Sequence, residues 1–143
     1  MQKKDGFFDL EKDKEAVKEF MKEVKKKYVY FDSVEQRIKY LIENNFYYNV
    51  LEQYTIEQIE EIDRIVKGYN FEFASYMAAS KFYRDYALKT NDKEKYLELY
   101  EDRIVICALY LGGGNFERAK RLAIAMIEQR LQPATPTFLN AGK

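Results

Sequence analysis

No histidine occurs in the chain, and there is one cysteine, Cys107. These scarcities exclude whole classes of chemistry. Without histidine there is no Ser-His or Cys-His nucleophile pair, no Glu-x-x-His di-iron helix and no His-ligated zinc. A single thiol excludes an internal disulfide and a zinc-thiolate site, and its place in the apolar run Ile104 to Leu111 suits a small buried core residue. Excess charge is missing too: 24 Lys and Arg balance 24 Asp and Glu. No overall field therefore draws in nucleic acid or an anionic membrane. The start, Met1 to Phe8, is charged and lacks an apolar signal core, and no later stretch approaches the roughly 20 apolar residues of a membrane helix. The reading is a soluble, cytoplasmic protein with no membrane and no nucleic-acid partner.

What is present suffices for an ordinary core, with 47% hydrophobic and 16% aromatic residues in 143. Apolar residues recur at spacings of three and four and almost no segment alternates with period two, so the fold class is all-α. A first helix is expected over about Leu10 to Lys26, with Ala16, Val17, Phe20, Met21 and Val24 on one stripe. The run Tyr28 to Phe31 suits extended backbone. Ser33 with Gln36, and Thr55 with Gln58, are capping boxes, and each opens a helix; Gly68 stops the second. A further, central helix is expected from Phe73 to about Leu88. Asn91 or Asp92 is expected to cap the next, which breaks near Glu101 before Ile104 to Leu111 and ends at Gly112-Gly113-Gly114. A last helix covers about Phe116 to Gln129. This divides the chain into a helical domain, 1–131, and a tail, 132–143. No second complete domain or internal repeat is visible.

Four features invite functional readings. Glu57, Glu60, Glu61 and Asp63 share one helix and include carboxylate pairs of the kind used for acid-base work, but a solvated face explains them better. The glycine run lacks a preceding strand, a Walker pattern or a Rossmann fingerprint, so a helix terminus is the better reading than a phosphate loop. Lys22 with Lys25, Lys26 and Lys27, followed by Tyr28, Tyr30 and Phe31, has the look of a nucleic-acid patch, which the balanced charge disfavours. The thirteen tyrosines fall at helical spacing, as packing residues do, rather than marking a radical carrier.

The tail carries a more specific argument. Pro133 and Pro136 fix their own φ and bias Gln132 and Thr135 toward extended backbone, leaving the N–H and hydroxyl groups of Thr135 and Thr137 as donors on a stiff loop. Such donors suit a diphosphate. On the residues alone, a strand with threonines chosen for β geometry explains the segment as well.

Gln132 to Lys143, QPATPTFLNAGK, is similar in every position to the segment by which class Ib ribonucleotide reductase alpha subunits pass from their N-terminal helices into a ten-stranded α/β barrel. The resemblance extends through Asp5-Gly6-Phe7-Phe8, Asp32 to Asn45, Phe73 to Asp92, Tyr96-Leu97-Glu98 and Glu101-Asp102-Arg103. It implies reduction of ribonucleoside diphosphates by thiyl-radical chemistry. The radical would come from a dimetal-tyrosyl centre in a separate beta subunit, and the electrons from a glutaredoxin-like reductant. By this resemblance Thr135 contacts substrate, through a hydrogen bond on the diphosphate side, and Thr137 shapes the same loop. The family's catalytic cysteines have no counterpart here, Cys107 matches none of them, and the full ATP cone of class Ia relatives is absent. The chain therefore reads as an N-terminal piece, inactive alone, without a cofactor of its own and complemented by a barrel fragment. The alternative is a non-catalytic helical interaction or regulatory module derived from that enzyme.

Overall fold

The computed structural model describes residues 2–128, with side chains from residue 12 onward. Six α-helices succeed one another among them: α1 (Gln2–Lys27), α2 (Val34–Glu43), α3 (Ile56–Lys67), α4 (Tyr76–Asp85), α5 (Tyr100–Gly112) and α6 (Phe116–Glu128), with one 3-10 turn at Val50–Glu52. The described residues contain two isolated β-bridges, Tyr28 with Tyr96 and Lys89 with Tyr96. The all-α expectation holds. The chain forms two compact units, and each is built from separate stretches of sequence: one from the residues up to Val29 with Glu72–Leu97, the other from Tyr30–Phe71 with the residues from Glu98 onward. Periodicity gave no sign of this interleaving. The expected boundary between 131 and 132 lies outside the described residues.

The first unit pairs α1 with α4. Val17 and Val24 of α1 are buried, and Phe20 meets Tyr76 edge-on at 5.5 Å and Tyr83 at 5.9 Å. Tyr83 is fully buried and also packs edge-on against Phe82 and Tyr96. This geometry favours ring quadrupoles, so the core is held by aromatic edges against faces. Helix α4 starts at Ser75, whose hydroxyl accepts from the Ala78 N–H, and Asp13 of α1 accepts from the Tyr76 N–H at 2.9 Å. Both oxygens satisfy donors that a helix start leaves open. Val29 and Tyr96 then join extended segments, because the Val29 N–H donates to the Tyr96 carbonyl and the Tyr96 N–H to that of Lys27.

The second unit stacks α5 on α6 and α3, with α2 against α3. Leu41, Ile59, Ile62, Val66, Ile104, Ile106, Leu109 and Ile127 are almost completely buried. Both expected caps are in place: Ser33 accepts from the Gln36 N–H, and Thr55 and Gln58 form a full reciprocal box. The first differs in one detail, since the Gln36 side chain accepts from Asp32 rather than from Ser33. Asn115 caps α6 by accepting from the Arg118 N–H.

The glycine run ends α5, as expected, with Gly113 left-handed at φ 59°. Gly112 has a separate reason to lack a side chain: a Cβ there would lie 2.7 Å from the Tyr54 hydroxyl and 2.8 Å from the Ala119 Cβ. The Tyr54 hydroxyl in turn donates to the Leu109 carbonyl and accepts from the Gly114 N–H, tying the turn to the core.

Two local expectations need correction. Asn91 and Asp92 cap no helix; Asp92 accepts from the Thr90 hydroxyl and the Glu94 N–H and closes a turn, because local side-chain bonding outcompetes helix nucleation there. Helix α1 begins at Gln2, well before Leu10. Gly68 stops α3 as expected, with right-handed backbone (φ −65°), and Asn70 beyond it turns left-handed at φ 51°.

Candidate functional site

Thr135 and Thr137, the substrate-binding residues expected from the sequence, lie outside the described residues. So does the whole tail 132–143. What the described residues do bring together is an ionic cluster inside the second unit, drawn from α2, α3, α5 and the segments before α3 and α5.

Its centre is Arg103, fully buried on α5. The guanidinium donates through Nε to Glu98 Oε1 at 3.0 Å and through a second nitrogen to Glu98 Oε2, a bidentate pair with both partners sealed from solvent. The Tyr47 hydroxyl donates to the same Glu98 Oε2 and accepts from Arg37 at 2.8 Å. Arg37 lies 3.7 Å from Asp102, and Asp102 takes Lys67 at 3.3 Å; Lys67 also reaches Asp63 at 3.3 Å. Asp102 Oδ2 further accepts from the Leu99 N–H at 2.9 Å, so one carboxylate serves both the ionic cluster and the start of α5.

Three cations (Arg37, Lys67, Arg103) face three carboxylates (Asp63, Glu98, Asp102), and the cluster is neutral as a whole. That balance makes burial tolerable, because each desolvated charge has an opposite charge within reach. The ionisable groups show it. Burial pushes the Tyr47 phenol well above its ordinary value, with Arg37 and Arg103 opposing. Burial also raises the Asp63 carboxyl against the pull of Lys67. For Lys67, burial is the largest influence and lowers its value, but Asp102 and Asp63 together outweigh it and the ammonium ends raised. A group that must exchange protons with substrate needs an opening, and Glu98 and Arg103 have none. The cluster is therefore a positioning device for five segments of the unit rather than a reactive centre.

Other features singled out in the sequence resolve one by one. Asp63 departs from the solvated acidic face by being buried in the cluster, while Glu61 pairs with Lys120 of α6 at 2.9 Å. Lys22 and Lys26 pair with Glu19 and Glu23 on their own helix. Cys107 is completely buried. Tyr47, Tyr54, Tyr83 and Tyr100 are core residues, in keeping with a packing role. Among the described residues no group of three or more Asp, Glu, Cys or His residues is placed to hold a metal, and no helix is long and apolar enough to cross a membrane.

The ionic cluster was missed in the sequence although a signal existed. Glu98, Asp102 and Arg103 run without a break into the apolar stretch from Ile104, so a helical face that buries Ile106 and Leu109 also carries charges inward. Charges on a buried stripe call for partners.

Comparison with known proteins agrees with this architecture. The ribonucleotide reductase N-terminal family matches residues 1–71, and the ribonucleotide reductase all-alpha domain family matches residues 72–143. The ribonucleoside-diphosphate reductase NrdEB subunit alpha of Bacillus subtilis is 50% identical across 100% of this chain, which covers 13% of that relative. A second Bacillus subtilis protein, ribonucleoside-diphosphate reductase subunit alpha, is 48% identical across 100% of the chain, or 21% of its own length. The subunit of the same name from Mycoplasma pneumoniae is 46% identical over 94% of the chain and 19% of its own length. The chain thus spans between about an eighth and a fifth of the relatives it matches. With relatives aligned along its whole length, an all-α fold and a family match over its second half, the chain belongs to the ribonucleotide reductase family, within the N-terminal and all-alpha domains of the alpha subunit.

Proposed function

We propose that this chain acts as the N-terminal part of a class Ib ribonucleoside-diphosphate reductase alpha subunit and supplies the helical scaffold beside the substrate-binding barrel. The observation that carries the reading is the alignment of the whole chain, at 50% identity, with a protein named ribonucleoside-diphosphate reductase NrdEB subunit alpha. The class rests on the likeness of Gln132 to Lys143 to the class Ib segment. In this reading the substrate is a ribonucleoside diphosphate, and Thr135 donates a hydrogen bond on its diphosphate side while Thr137 shapes the loop. A beta subunit holding a dimetal-tyrosyl radical and a glutaredoxin-like reductant complete the enzyme, which works in the cytoplasm. The metal belongs to that partner.

The test is reconstitution. This chain is mixed with a barrel fragment that begins after the position matching Lys143, together with beta subunit, reductant and a ribonucleoside diphosphate, and deoxyribonucleotide formation is followed. Activity dependent on the chain is expected, and Thr135→Ala is expected to lower kcat/KM at least about tenfold, the scale of one lost hydrogen bond to a charged group. Absence of both binding and activity removes the reading; unchanged kcat/KM removes the role of Thr135.

A further inference from the structure

The first unit carries an open concavity of about 640 Å³, within the range of small-ligand sites. It is lined by Phe20 and Tyr96 and by the cations Arg84, Lys89 and Lys93, and no carboxylate lines it. The three cations are not equally engaged. Arg84 is committed to Asp85 at 3.1 Å, and Asp85 also takes Lys81 at 3.5 Å. Lys89 and Lys93 form no ion pair among the described residues. The Lys89 ammonium donates to the Arg84 carbonyl at 2.8 Å and lies 5.7 Å from the centre of the Tyr96 ring. Two of its three hydrogens remain for another acceptor.

The carboxylate adjacent in sequence forms no ion pair with Lys93; Asp92 accepts instead from the Thr90 hydroxyl and the Glu94 N–H. Burial depresses the Lys89 ammonium, and the like charge of Lys93 adds to that against Asp85. An acceptor anion between the two lysines would relieve both effects. Lys93 is held in left-handed backbone, φ 62°, by the turn in which its N–H donates to Thr90 at 2.7 Å. A non-glycine residue adopts that conformation at a cost, so the turn presents this cation at some expense to stability.

We propose that this concavity binds a small phosphate-bearing molecule, with the phosphate between Lys89 and Lys93 and an apolar portion against Phe20 and Tyr96. Lysines suit phosphate as mobile point charges, and the aromatic wall suits a planar or apolar group. The site lies in a different unit from the ionic cluster, and the inference does not depend on the proposed reductase role.

Calorimetric titration of the 143-residue chain with phenyl phosphate, inorganic phosphate and phenol tests it. Phenyl phosphate is expected to bind more tightly than inorganic phosphate, and phenol not to bind. Lys89→Gln and Lys93→Asn are each expected to weaken phenyl phosphate at least about tenfold, the scale of one charged contact. Asparagine tolerates left-handed backbone, so the second variant keeps the turn, and circular dichroism checks it. Lys26→Gln, which removes a cation on α1 already paired with Glu23, is expected to change nothing. The proposal fails if neither phosphate binds at millimolar concentration, if binding survives both substitutions, or if only a long polyanion such as heparin binds.

Discussion

The two units solve the problem of charge in opposite ways. In one, the core is a set of aromatic edges around Tyr83, and the cations Lys89 and Lys93 line an open concavity. In the other, two arginines and three carboxylates are buried among Ile, Leu and Val side chains, and the half-exposed Lys67 reaches in from the surface to balance them. Aromatic packing rests on shape and ring quadrupoles and carries no net charge that needs a partner. A buried ionic cluster requires each of its buried members, because a lone charge left in the interior cannot reach water.

The largest effect is therefore expected from Glu98→Ala. It strands Arg103, which is 0% exposed, and removes the acceptor of the Tyr47 hydroxyl. Urea unfolding of the chain should show a loss of about 3–5 kcal/mol. Replacing the group together, Glu98→Met with Arg103→Met and Tyr47→Phe, should recover much of that loss, since no unpaired charge remains. If the triple variant is as unstable as the single one, packing rather than charge compensation governs this core and the contrast between the units collapses.

Gly112→Ala probes close packing in the same unit without touching charge. The added Cβ meets the Tyr54 hydroxyl at 2.7 Å and the Ala119 Cβ at 2.8 Å, both on residues held in the core. A loss of about 1–3 kcal/mol in denaturant midpoints is expected. Gly113→Ala, at φ 59° with open space around its Cβ, should cost less, because only backbone strain opposes it.

How far these features were legible beforehand depends on the range of the interaction that makes them. Caps at Ser33 and Thr55, the glycine stop and the buried Cys107 are settled by neighbours within a few residues, and their signals are local. The ionic cluster joins Tyr47 to Glu98 across 51 positions, and periodicity carries no information about such a pairing. Asp92 misled because the residue types that cap helices also close turns, and the segment between it and Leu99 is short and rich in charge. The substrate loop was legible only through family likeness, since threonines flanked by prolines suit a strand equally well.

Alkaline titration gives a subtler contrast between the units. The Tyr47 phenol is held well above 10.0, Tyr100 in the same unit is pushed up to about 12 by burial, and Lys67 is raised above 10.5. For each, the folded state keeps its proton after the unfolded chain has lost it. Stability from these groups is complete below the unfolded values and falls as pH rises through the folded ones. Urea midpoints should decline from about pH 10 to about pH 12, and Tyr47→Phe, although less stable at the outset, should decline less steeply. A slope unaffected by that substitution would detach Tyr47 from the alkaline loss.

The smallest change is expected at the helix starts and on the charged surface, where water can replace what is removed. Thr55→Ala deletes one half of the reciprocal cap of α3, in which the Gln58 N–H donates to the threonine hydroxyl at 3.2 Å. A loss of about 1 kcal/mol is expected. Lys26→Ala removes one member of an exposed pair whose side chains are 72% and 63% accessible, and no measurable change is expected from it. Comparing this pair with Arg103 and Glu98 isolates burial, because both join one basic to one acidic side chain close in sequence. If Lys26→Ala destabilised the chain as much as Glu98→Ala, desolvation would not be the factor that separates them.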